Sequence, residues 1–373
     1  MALLWCDGFD HYGTDENNML DGVYAECTSN VALNSSIVAT GTHSVSFLSV
    51  AYGNGIRKVL PAATSKMGAM ARFYLPSLPD VNTCANIFRF LTTSPFRAQL
   101  AVMVDLNGCL RFYRGGYFES VGTTAGALIA TSDPIIVASA WNHIEIQVYI
   151  HDTEGWVRAA VNGVHRFEAT GLDTQYDTSE ITSISTNQQA YSGPQGDNDF
   201  YMDDLIVYDF TGSSAVDTDF CPAVDGGGVA TNYIGELQCM YLPPNGDTAQ
   251  MDWVASTGTD EYAMIDETTP NDADYISSTT AADLSEFDLT DLPEDITYIR
   301  GLQLLGRMSK SDSGTAMTKF GMKSDISTDD ADERPVTVEP TYWWDFMNVD
   351  PDSSARWTRD SLNAAWFRLT RSV

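Results

Sequence analysis

The stretch AWNHIEIQVYI, residues 140–150, and the GWVRAAVNGVHRFEA that follows it constrain the fold more than any other part of the chain. In it, Ile144, Ile146, Val148 and Ile150 fall on one face, while Glu145, Gln147 and Tyr149 fall on the other. That period of two is expected of a strand with one face on a core. Asn162-Gly163 then stands between two strand-like runs, and this dipeptide suits the positive φ angles of a two-residue hairpin turn. Asp105 to Gly108 (DLNG), between LAVMV and CLRFY, predicts a second hairpin with Gly108 as its left-handed residue.

Further strands are expected at Ser44–Val50, Lys66–Tyr74, Ile87–Leu91, Leu100–Val104, Leu110–Tyr113 and Asp203–Tyr208. Periodicity lapses after Tyr208, and Gly226-Gly227-Gly228 marks a linker, which puts a domain boundary near residue 225. Beyond it, strands are expected at Glu236–Leu242, Ala263–Ile265, Tyr298–Lys310 and Lys319–Lys323, with a long acidic connector from Asp266 to Asp295. Gly301 and Gly306 would each cost a helix about 1 kcal/mol, so IRGLQLLGRM reads as a strand. Thr358 suits an N-cap, with Asp360 in the first turn, for a helix over Arg359–Ala364 that leads into a strand through Phe367 and Leu369. The fold class is therefore all-β: two tandem antiparallel β-sandwich, jelly-roll-like domains, residues 1–225 and 226–373, with a short C-terminal helix.

A formal charge of −31 is spread unevenly: Phe167 to Ile299 holds 27 Asp and Glu and no Lys or Arg. Such a surface repels phosphate, which argues against nucleic acid and anionic membranes as partners. No apolar run approaches the roughly 20 residues of a membrane span, and MALLWCDGF lacks the basic start of a secretory signal. The six cysteines, at 6, 27, 84, 109, 221 and 239, form no CxxC pair and read as small buried hydrophobes kept as thiols in a reducing cytoplasm, with disulfides after release left open.

The succession AWNHIEIQVYI, WVRAAVNGVHRFEATGL and FYMDDLIVYDFTG resembles the laminin-G/concanavalin A-like jelly roll over roughly residues 1–212. In that fold WCDGFDHY would be the first strand, lying beside the closing strand with Phe9 near Leu205. The segments MDWVASTGTDEYAMIDE, NDADYISSTTAADLSEFDL, IRGLQLLGRMSKSDSG and DPDSSARWTRDSLNAAWFRL, in that order, resemble the C-terminal part of tailed-bacteriophage structural proteins. The resemblance implies a non-enzymatic virion component, such as a capsid decoration, head fibre, collar or tail protein. It would be assembled in the host cytoplasm among other virion proteins, as a homo-oligomer and by analogy a trimer. The alternative is a lectin-like module that binds host-surface glycan, and a third possibility, a polysaccharide depolymerase, would require a cleft with two facing carboxylates.

Chemical motifs are sparse. Glu145 has no second Glu two or four residues away, and the adjacent Asp203 and Asp204 would point to opposite faces of a strand, so the carboxylate pair of a glycoside hydrolase is missing. No GxSxG, HExxH or Walker-type loop is present, so no enzyme is expected. Calcium is the one cofactor the composition admits: Asp197, Asn198, Asp199, Asp203 and Asp204 group oxygen donors before the closing strand. Arg111, Tyr113, Arg114, Tyr117 and Phe118 form a candidate surface for a glycan or another subunit. Tyr342, Trp343, Trp344 and Phe346, with Trp357 and Trp366, are expected in the second core or at a subunit interface.

Overall fold

A computed structural model describes residues 3–15, 17, 19, 22–28, 31–48, 54–79, 83–93, 96–115, 126–190, 199–210 and 233–373. The chain divides into two compact units. Unit 1 comprises Met1–Asp10, Thr14–Leu20 and Tyr24–Cys239, and unit 2 comprises His11–Gly13, Asp21–Val23 and Met240–Val373. The division therefore falls after Cys239, and the segment near residue 225, where the sequence pattern lapses, lies outside the described residues.

Unit 1 is a sandwich of two antiparallel sheets. The first contains β1 (Leu3–Asp7), β3 (Val31–Asn34), β4 (Ser44–Phe47), β6 (Lys66–Tyr74), β11 (Trp141–Tyr149), β12 (Gly155–Val161), β13 (Val164–Leu172) and β15 (Phe200–Asp209). Its order is β13-β12-β11-β6-β15-β4-β3, with β1 pairing on β15. The second contains β2 (Glu26–Cys27), β5 (Asn54–Thr64), β7 (Thr83–Thr93), β8 (Phe96–Val104), β9 (Cys109–Arg114), β10 (Ala127–Pro134) and β14 (Ile181–Ala190), in the order β10-β9-β8-β7-β14-β5-β2. The first strand does lie on the closing strand, with Asp7 opposite Leu205. Both hairpins form as expected: Asn162 and Gly163 take φ of 53° and 70°, and Gly108 takes 77°. Between the sheets, Phe73 meets Phe88 edge-on at 5.4 Å and Phe112 stacks on Phe167 at 5.3 Å. Each such pair adds about 0.5–1.5 kcal/mol beyond the area it buries. Ile144, Ile146 and Val148 point into this core with no exposure.

Unit 2 is built on a six-stranded antiparallel sheet of β16 (Pro244–Met251), β19 (Leu284–Leu289), β25 (Trp366–Arg371), β21 (Met317–Ser324) and β22 (Ser327–Asp330), with β23 (Arg334–Pro335) on β21. Two further ribbons are β17 (Val254–Ala255) with β18 (Ile276–Ser277), and β20 (Gln303–Met308) with β24 (Thr341–Phe346). Phe287, Leu304, Phe320, Met322, Trp357, Leu362 and Leu369 make its core. Gly306 leaves room for Phe320, whose Cζ would lie 2.7 Å from an added Cβ.

Several sequence expectations are corrected here. Residues 236–243 form no strand; instead 233–239 lie along the first sheet of unit 1, anchored by side chains far away in sequence. Tyr262–Met264 is a 3-10 turn, because Asp247 accepts hydrogen bonds from the Glu261 and Tyr262 amides and curls the chain. The acidic connector carries β18 and β19, and β19 lies inside the main sheet, where Ser285 and Phe287 are fully buried. The strand expected from Tyr298 starts only at Gln303. The helix α1 spans Arg359–Asn363, and the Thr358 hydroxyl accepts from the Ser361 amide in a capping box.

Candidate functional site

Two polar surfaces of unit 1 arise from the same physical cause, strand residues that point away from the sandwich core. On the second sheet, Phe88, Val102 and Phe112 are cross-strand neighbours turned to the core. The residues beside them therefore face outward, and cross-strand partners on that face stand side by side.

Register assembles these outward residues into rows. Arg57 of β5 lies opposite Ser185 of β14, Ser185 opposite Arg89 of β7, Arg89 opposite Ala101 of β8, and Ala101 opposite Tyr113 of β9. This row crosses five strands, four gaps of about 4.8 Å or roughly 19 Å in all. A parallel row joins Asn187, Asn86, Met103 and Arg111. Asn86 and Arg89 share the outer face because Ile87 is an extra residue in β7: three residue steps on β7 match two on β14 and two on β8.

The rows are polar and largely enclosed. The Ser183 and Ser185 hydroxyls and the Asn187 carbonyl oxygen are buried without a hydrogen-bond partner. Such atoms carry a desolvation cost of about 1–3 kcal/mol each unless a ligand or water meets them. Arg111 is positioned by Asp105, 2.8 Å from its Nε, and is in hydrogen-bond contact with Tyr113. Burial raises the Asp105 carboxyl pKa, but the amides of Cys109 and Asn107 and the Arg111 charge outweigh it and hold the group below its ordinary value. At one end Gln99 donates to Asp177 and accepts from the Tyr176 amide, which brings the half-exposed ring of Tyr176 beside Gly115.

The outer face of the first sheet is also polar, but the protein covers it itself. Tyr208 lies across Gly68, where an added Cβ would be 2.0 Å from its Cζ, and its hydroxyl donates to Glu145. Glu145 also accepts from the amides of Ile234 at 2.9 Å and Gly235 at 3.3 Å. Arg72 pairs with Asp204 at 2.9 Å, and the Cys239 amide donates to the same carboxylate at 2.7 Å. Burial pushes the Glu145 carboxyl up to about 7 against these donors, and burial with the Asp204 charge pushes Asp203 up to about 8. His143, buried beside Met70, is lowered to about 4 by burial and by Arg72, so it is neutral at physiological pH.

Of the candidates read from sequence, Tyr113 and Arg111 stand in the two outer rows of the second sheet. Arg114 does not join them: its guanidinium pairs with Asp173. Tyr117 and Phe118 lie outside the described residues, as do Asp197 and Asn198. Asp203 and Asp204 do not diverge to opposite faces as expected. Asp204 takes a φ of 54°, a left-handed kink in β15, so that Asp203 accepts from the Thr40 amide and Asp204 from the Thr40 hydroxyl. Asp199 is half-buried, and among the described residues no three His, Cys, Asp or Glu side chains gather to hold a metal. Arg57, Asn86, Arg89, Ser185 and Asn187 were not singled out in sequence; the outward parity of β7 and β14 was the available signal, and the Ile87 bulge obscured it.

No protein-family model matches the chain, and no curated protein matches it. Among solved structures it is similar to an endo-β-1,4-glucuronan lyase from the fungus Trichoderma reesei, at 14% identity over 56% of this chain and 96% of that one, with a TM-score of 0.42. It is also similar to the cellulose induced protein Cip1, at 17% identity over 55% and 96% with a TM-score of 0.39. A third is alginate lyase vAL-1 from Chlorella virus, at 13% identity over 53% and 99% with a TM-score of 0.36. At these identities the likeness concerns the β-sandwich fold. The expectation of a non-enzymatic tailed-phage virion component is corrected here: the similar structures include glucuronan and alginate lyases, which also weakens the lectin-like alternative. Among the described residues no helix is long and apolar enough to cross a membrane.

Proposed function

We propose that unit 1 binds an acidic polysaccharide along the outer face of its second sheet and cleaves it by β-elimination. The observation that carries this reading is the pair of cross-strand rows, Arg57–Ser185–Arg89–Ala101–Tyr113 and Asn187–Asn86–Met103–Arg111. Three guanidiniums share this face; Arg57 pairs with Glu26 at 3.3 Å and Arg111 with Asp105 at 2.8 Å through Nε, and the planar fork of donors on an arginine suits a carboxylate. The length of the row suits an oligomer laid across the strands.

Elimination from a uronate chain needs no pair of carboxylates, so the missing pair does not argue against it. A proton leaves the carbon next to the sugar carboxylate, the electron pair forms a carbon–carbon double bond, and the bond to the glycosidic oxygen breaks as that oxygen gains a proton. Arg89 would neutralise the carboxylate and Asn86, adjacent across the bulge, would donate a hydrogen bond to it, which together acidify the neighbouring C–H bond. The Tyr113 hydroxyl, beside Arg111, would move the proton.

The test is incubation of the purified chain with polymannuronate, polyguluronate, polyglucuronate and a neutral glucan, following the ultraviolet absorbance of the new double bond. Absorbance is expected with at least one polyuronate and not with the neutral glucan, and Tyr113→Phe should lower the rate by roughly a hundredfold or more. Absence of both product and binding with every polyuronate would overturn the reading.

A further inference from the structure

Cys6 and Cys239 stand at opposite ends of unit 1 in sequence and meet in space. Trp5 of β1 is fully buried in the core, so the next residue, Cys6, projects from the outer face of the first sheet, where residues 233–239 lie. Its strand partner is Ile206, and Asp7 lies opposite Leu205, whose carbonyl is 4.0 Å from the Cys239 Sγ. The two thiols are in hydrogen-bond contact. The Cys239 Cβ would be 3.1 Å from a Cβ placed on Gly8, so the backbones there approach closely. Both cysteines are half-buried as residues. Segment 233–239 is also held by Glu145, Asp204 and Arg72, by the contact of the Tyr233 hydroxyl with His165 and by burial of Ile234, and a covalent link at Cys239 would fasten its far end.

We propose that Cys6 and Cys239 are a redox pair that closes to a disulfide, fastening the segment that ends unit 1 to the strand that begins it. The oxidant is a small disulfide such as oxidised glutathione. One thiolate attacks it to give a mixed disulfide and releases one glutathione thiol; the second cysteine then displaces the other glutathione. Two S–H bonds are lost, one S–S bond forms, and the two electrons and two protons leave on the two glutathione thiols. The pairing holds whether or not the second sheet binds polyuronate.

The experiment is a peptide map of the intact chain under non-reducing conditions, after equilibration with oxidised glutathione and trapping of remaining thiols. A peptide linking Cys6 to Cys239, absent after reduction, is expected. Oxidised protein should also melt roughly 5–15 °C above reduced protein, a difference that Cys239→Ser abolishes. The proposal is overturned if both residues remain open to alkylation, carry glutathione only, or are joined to another cysteine such as Cys221.

Discussion

Asn86 and Arg89 lie three residues apart on one strand and yet present their side chains on the same face, because Ile87 is accommodated as a bulge. Regular alternation would have turned one of them into the core. The bulge therefore aligns an amide and a guanidinium on the outer face of the second sheet. Arg89→Ala and Asn86→Ala should each weaken binding of a polyuronate roughly ten- to a hundredfold, as loss of a charge-assisted hydrogen bond does. Arg89→Lys should recover little, since an ammonium lacks the planar fork. Affinity electrophoresis in polyuronate gels, with circular dichroism to confirm folding, measures this; unchanged mobility of all three variants would exclude Arg89 from the site.

Asp203 and Glu145 make the stability of unit 1 fall as pH rises. Their folded values, about 8 and about 7, lie above the ordinary 3.8 and 4.5. Between the ordinary and folded values the unfolded chain has released protons that the folded chain keeps, so raising the pH favours unfolding, by up to about 1.4 kcal/mol per pH unit for each proton. Asp204 and Arg72 face this region and remain in place in the variant. In urea titrations from pH 4 to 8, Asp203→Asn should flatten the decline. Profiles parallel to wild type would show that Asp203 ionises normally.

Lys58 acts with the opposite sign. It is 1% exposed, its ammonium 3.4 Å from the centre of the Trp5 ring and close to Asp7 and Tyr24. Burial lowers its pKa to about 7 against the attraction of Asp7. Between about 7 and 10.5 the unfolded chain holds the extra proton, so this residue raises stability with rising pH and its full cost is present below 7. Lys58→Met should remove the alkaline rise, which thermal melts between pH 7 and 10 would show; a rise that persists would point to another group.

In unit 2, Thr358→Ala removes the hydroxyl that accepts from the Ser361 amide and should cost about 1 kcal/mol. Thr358→Asp should keep most of the stability. Chemical denaturation followed through Trp357, buried beside this helix, reads the effect. Equal stability of Thr358→Ala and wild type would mean that the cap contributes nothing.

Glu286 joins Lys323 at 3.0 Å and Arg368 at 3.1 Å across three strands of the unit 2 sheet, and Arg368 continues to Asp330. Glu286 is 4% exposed, so Glu286→Ala leaves two cations without their shared acceptor in a region that water reaches poorly. A loss of roughly 2–4 kcal/mol is expected, larger than from Asp330→Ala at the exposed end. Equal losses from the two variants in the same denaturation assay would contradict the difference in burial.

Local signals were legible because their physics is local. The alternation of Ile144, Ile146 and Val148, the positive φ at Asn162 and Gly163, and the Thr358 cap each depend on a few neighbouring residues and their preferred backbone angles. The all-β class followed from them, whereas the pairing of the first strand with the closing strand was implied by the resemblance to the laminin-G/concanavalin A-like jelly roll. The acidic run from Asp266 to Asp295 concealed β19, because a strand with few apolar residues has little period to read.

Tertiary structure alone decided which residues meet. Arg57, Arg89, Tyr113 and Ser185 stand in one row, and Glu145 meets Ile234, only through registers set by packing of the whole sandwich. A one-residue bulge at Ile87 and a left-handed kink at Asp204 each redirect a side chain from one face of a sheet to the other. Those two departures depend on strands distant in sequence, and no pattern within a single strand encodes them.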